Sequence, residues 1–112
     1  MTHRTGSCFE DAGKRITDPF KPSDWTLVHG LPFNSAVGMR MPHGWLEKGD
    51  TVWDPNIDDE FDRGFYYAMG DIKDTVKYTR FEAMNMMVEH GTYGWWDDMF
   101  AEAEAALEGM GY

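Results

Sequence analysis

The chain is poor in cysteine, in basic residues and in long apolar runs, and it has no glutamine at all. Its one cysteine, Cys8, excludes an internal disulfide framework and a cysteine-based zinc cage. What remains for it is a buried thiol, a reactive thiol or an intermolecular bridge. Lys and Arg number 10 against 20 Asp and Glu, a formal net charge of −10. That balance argues against a nucleic-acid binder working by phosphate neutralisation. It favours solubility, a basic partner or mimicry of a polyanion. No apolar stretch approaches the roughly 20 residues of a membrane span. Residues Met1 to Asp11 are polar, without the apolar centre of a secretory signal, so a reducing cytoplasm is the expected location. The histidines His3, His29, His43 and His90 share no ligand spacing such as i, i+4 on a helix. No metal or cofactor is therefore expected.

What is present suits one small domain. At 112 residues with 42% hydrophobic and 15% aromatic residues, the chain can bury a single modest core. Cys8, Phe9, Ala12 and Ile16 mark a short first helix, with Ser7 and Glu10 spaced as a capping box and Asp18-Pro19 as the stop. Trp25 to His29 reads as a strand closed by Gly30. Met39 to Met41 leads towards the next strand through Pro42. Glu60 to Met69 reads as a helix with Phe61, Phe65, Tyr66 and Met69 on its apolar side, and Asp71 to Tyr78 as a strand. Thr79 and Glu82 form a capping box that opens a helix from Arg80 to His90. Phe81, Met84, Met87 and Val88 are expected to line its face, with Gly91 as its C-cap. Trp95 to Leu107 reads as a last helix. The order predicts an α+β fold, in which the N-terminal helix bearing Cys8 packs on a small antiparallel sheet followed by C-terminal helices.

The chemistry concentrates in residues 43 to 55. Trp45-Leu46 and Thr51-Val52-Trp53 read as two strands joined at Lys48-Gly49-Asp50, with Gly49 supplying a positive φ. His43 begins the first strand and Asp54 ends the second, so the two are expected to face one another across the hairpin. A cysteine nucleophile needs a base beside its thiol and a third group that orients the base. Cys8 at a helix start, where unpaired backbone N–H groups favour negative charge, supplies the first requirement. His43 and Asp54 supply the other two. The same N–H groups are candidate oxyanion donors.

The pattern Cys8…His43-Gly44-Trp45…Trp53-Asp54-Pro55 resembles the core of the transglutaminase-like and papain-like cysteine hydrolase superfamily. The flanking Leu27-Val28-His29-Gly30 and Tyr78-Thr79 to Gly94 segments are similar to small phage and bacterial proteins of this type. The resemblance implies a Cys8–His43–Asp54 triad performing acyl transfer on a protein or peptide substrate, as a peptidase, an amidase or a transglutaminase. Many papain-like enzymes place a glutamine upstream of the cysteine as an oxyanion donor, and this chain has none. Ser7, His29, Trp45 or a tyrosine is left to support the pair or to supply that donor. The alternative is an acidic, phage-encoded binding or inhibitor protein acting on a host protein, with the enzyme fold reused and inactive. Its candidate surfaces are the Asp58-Asp59-Glu60 cluster and the acidic C-terminal segment.

Overall fold

The computed structural model describes residues 8–20 and 24–109. The proposed Ser7 cap lies outside them. Helix α1 (Cys8–Thr17) comes first, then strand β1 (Thr26–Gly30). A small hairpin, β2 (Phe33–Asn34) and β3 (Met39–Arg40), stands apart from the main sheet. Next come β4 (His43–Lys48), β5 (Thr51–Asp54), β6 (Asp59–Asp62) and helix α2 (Arg63–Met69). Strand β7 (Thr75–Tyr78), helix α3 (Arg80–His90), a single 3₁₀ turn (Asp98–Phe100) and helix α4 (Ala101–Gly109) complete the chain. The five-stranded sheet runs β6-β5-β4-β1-β7, every neighbouring pair antiparallel, with β4 in the centre. The α+β fold is therefore the one read from the sequence.

Alternation along the strands divides the core into two layers. Leu27, Leu46, Trp53 and Tyr78 face α1 and α3 and pack on Ala12, Ile16 and Ala83. Val28, Trp45 and Val52 face the other way and pack on Tyr66 of α2 and on Ile72. Arg80 ties the first layer together. Its guanidinium donates to the Ile16 carbonyl oxygen at 2.8 Å and to that of Asp18, which serves carbonyls at the C-terminal end of α1.

Four elements depart from expectation. The strand read over Asp71 to Tyr78 pairs with its neighbour only from Thr75 onward. The proposed helix Glu60 to Met69 begins only at Arg63, because Asp59–Asp62 pairs with Thr51–Asp54 as an edge strand. Asp62 closes that strand and caps the helix, its carboxylate accepting from the Phe65 N–H at 3.0 Å. Helix α3 has its Thr79–Glu82 capping box and its left-handed Gly91 cap, but it turns a different face inward. Ala83 is fully buried and Met86 and Met87 pack on the core, whereas Phe81 is 73% and Val88 86% exposed. The last helix starts at Ala101 rather than Trp95, behind the 3₁₀ turn that Asp97 caps.

Candidate active site

The β4–β5 hairpin closes through Gly49-Asp50, with Lys48 paired to Thr51. Gly49 has φ +58°, at the first central position, where two-residue turns of the II′ type place glycine. The register corrects one expectation. Leu46 pairs with Trp53, so the next step places Trp45, not His43, across from Asp54. His43 is instead the diagonal neighbour on the same face, a distance long side chains span. Its Nε2 lies 3.3 Å from Asp54 Oδ2.

Asp54 is held from three directions. Beside His43, its Oδ2 accepts from the Tyr66 hydroxyl at 2.7 Å, and its Oδ1 accepts from the Asn56 backbone N–H at 2.9 Å. Burial works against the carboxylate, yet the His43 hydrogen bond and charge, with the Tyr66 and Asn56 bonds, hold its pKa below the ordinary value. Tyr66 is pushed up in turn, by burial and then by the facing Asp54.

Cys8 reaches the group from the other side of the sheet. Gly44 lies on the face that carries α1, and a Cβ there would stand 3.1 Å from Phe9 Cδ1. The bare backbone at Gly44 thus lets the first turn of α1 settle close to β4. There the Cys8 side chain hydrogen-bonds His43. Burial opposes the imidazolium, but the hydrogen bonds to Asp54 and Cys8 and the charges behind them outweigh it, so His43 is raised to about 9. Cys8 itself has no exposed surface, and Asp54 has little.

The structure therefore brings Cys8, His43 and Asp54 into one connected group and adds Tyr66, which the sequence reading did not single out. Tyr66 stood among the apolar positions of its helix, and no spacing rule ties it to Asp54. The supporting candidates fall elsewhere. Trp45 lies under His43, ring centroids 5.6 Å apart, but its indole N–H is spent on the buried Glu47 at 2.9 Å. His29 pairs with Gly44 and sits on the α1 side, walled by Phe9, Tyr78, Trp96 and Phe100. It is fully buried, and among the described residues neither ring nitrogen has a hydrogen-bond partner. Burial, and then the His43 charge, lower its pKa to about 3. Ser7 lies outside the described residues.

Among the described residues, no three His, Cys, Asp or Glu side chains converge as a metal site. No helix among them is long and apolar enough to cross a membrane. Comparison with known protein families, with curated proteins and with solved structures returns no match.

Proposed function

We propose that the protein is a cysteine-dependent acyl-transfer enzyme of the transglutaminase-like or papain-like kind. The observation that carries the reading is the unbroken hydrogen-bonded series Cys8, His43, Asp54, Tyr66. In it Cys8 is the nucleophile. His43 takes the thiol proton and returns it to the leaving group. Asp54 fixes the ring orientation through Nε2, and Tyr66 fixes Asp54. The raised pKa of His43 keeps its proton in place near neutral pH. The acyl group then passes to water or to an amine of a protein or peptide substrate. The backbone N–H groups in the first turn of α1 are the oxyanion donors this arrangement offers. A thiol nucleophile works in a reducing compartment, and we assign the protein to the cytoplasm on that ground.

The test is the pH dependence of Cys8 alkylation by iodoacetamide, in wild type and in His43→Ala. The expected thiol reacts well below the ordinary cysteine pKa of about 8.5, and His43→Ala removes that low-pH reactivity. An unperturbed profile indifferent to His43 would overturn the proposal, and so would an inert thiol.

One observation favours a second reading, an acidic binding protein acting on another protein. Phe81, Met84 and Val88 form an exposed apolar row on α3, at helical spacing. On that reading Cys8→Ala keeps function, and charge reversal at Asp58-Asp59-Glu60 or along α4 abolishes it. The enzyme reading requires the opposite pattern.

A further inference from the structure

Helix α3 turns an apolar stripe to solvent. Phe81, Met84 and Val88 stand at i, i+3 and i+7, the spacing of a coiled-coil seam, and all three are exposed. One flank of the stripe drops into a groove of about 440 Å³, lined by Met84, Met87, Val88 and Tyr93 and reaching Thr17 at the end of α1. The groove has a firm floor. Tyr93 and Met87 lie so close to the bare backbone of Gly13 that a Cβ there would stand 2.6 Å from Tyr93 Cδ1 and 2.9 Å from Met87 Cε. The other flank is acidic. Glu82 and Glu89, seven residues apart and both exposed, run alongside the stripe. The lysine and arginines of α1 and α3 are engaged elsewhere. Lys14 bonds Glu10 at 2.6 Å, Arg15 lies over the Trp53 ring, and Arg80 serves the Ile16 and Asp18 carbonyl oxygens. The flank therefore keeps its negative charge. That charge selects the occupant. A second copy would bring the same Glu82 and Glu89 and a further formal charge of −10, and an anionic membrane surface is repelled in the same way. A helix with one apolar face and cations beside it gains at both places.

We infer that the α3 stripe and its groove dock a basic amphipathic helix of a partner protein. The apolar face of that helix lies on Phe81, Met84 and Val88, and its cations lie beside Glu82 and Glu89. The inference rests on the binding reading and supplies its docking surface; the role of Cys8 does not enter.

The test titrates the full chain against fluorescein-labelled peptides of about 18 residues, roughly five helical turns, and reads fluorescence anisotropy. One peptide carries Leu at i, i+3, i+4 and i+7 with Lys elsewhere. A second has Glu in place of Lys, and a third scrambles the first so that no apolar face forms. At physiological ionic strength the Lys–Leu helix is expected to bind about tenfold or more tightly than either of the others. Val88→Asp should weaken it about tenfold, by setting a charge under the apolar face. The added carboxylate raises general attraction for a basic peptide, so a weakening reports the apolar contact. Phe81→Ser carries the test if Val88→Asp does not fold by circular dichroism. Glu89→Lys should weaken binding about threefold. Absence of binding would overturn the inference. Equal affinity for the scrambled peptide, or indifference to both stripe variants, would leave only general electrostatic attraction and overturn it too. A dimer in sedimentation that Val88→Asp dissociates would replace the partner helix by a second copy. Binding abolished by charge reversal along α4 but indifferent to Val88→Asp would remove the stripe as the surface while the binding reading survives.

Discussion

Lowering the pH from 8 to 5 should separate His29 from His43, because they act on stability in opposite senses. His29 has a folded-state pKa of about 3 against an ordinary 6.5. Below pH 6.5 the unfolded chain binds a proton that the folded chain refuses, so stability falls as the pH drops towards 3. At pH 5 the loss is about 2 kcal/mol, from roughly 1.4 kcal/mol per unit over the 1.5 units below 6.5. His43 is raised to about 9. Its contribution is fully present below 6.5 and is lost as the pH rises through 9, so from pH 8 to 5 it adds about 2 kcal/mol. In wild type the two nearly cancel. His29→Phe removes only the first, leaving a variant that gains about 2 kcal/mol by pH 6.5 and keeps it to pH 5, where wild type gains as much by pH 6.5 and loses it again by pH 5. Any packing cost of the phenyl ring shifts the whole curve and leaves its slope unchanged. Urea unfolding at pH 5, 6, 7 and 8 measures the difference. Curves that stay parallel within about 0.5 kcal/mol would refute the assignment of His29 as a buried, neutral imidazole.

Three further outcomes are expected. Tyr66→Phe deprives Asp54 of a 2.7 Å hydrogen bond and should cost about 1–3 kcal/mol in thermal unfolding, with the Asp54 carboxyl titrating at higher pH by NMR. Gly13→Ala should destabilise a helix that propensity alone would favour by about 1 kcal/mol. The new methyl would stand 2.6 Å from Tyr93 Cδ1 and 2.9 Å from Met87 Cε, and a net gain in denaturant midpoint would show that the α1–α3 contact yields freely. Thr79→Ala removes the hydroxyl that accepts from the Glu82 N–H, leaves the Glu82 carboxylate on the residue-79 N–H, and should lower stability by about 1 kcal/mol in the same assay.

What could be read from the sequence was what local rules govern. The Thr79–Glu82 box, the Gly91 cap, the Gly49 turn and the inward row Phe9, Ala12, Ile16 each follow from residues within one or two turns of each other. Features set by distant partners were not legible in that way. Asp59-Glu60-Phe61-Asp62 carries three charges and lacks β-branched residues, and it is a strand only because β5 offers it an edge. The inward face of α3 follows from where α1 and β1 lie, and the outward apolar row Phe81, Met84, Val88 misled the helical pattern. Within the candidate site, residue types and element ends placed Cys8, His43 and Asp54 near each other. The diagonal geometry needed the register of the hairpin, and Tyr66 needed the packing of α2 on the sheet.

Gly44 has a mechanical consequence. The acid of the connected group hangs from one face of the sheet, while the thiol arrives on a helix lying against the other. Phe9, next to that thiol, rests on bare backbone at Gly44 with no side chain between them as a cushion. The gap between sulfur and imidazole is thus a stack height, set by the thickness of one glycine. A single added methyl at that point acts as a shim, lifting the start of α1 by tenths of an ångström while His43 and Asp54 stay anchored to their strands.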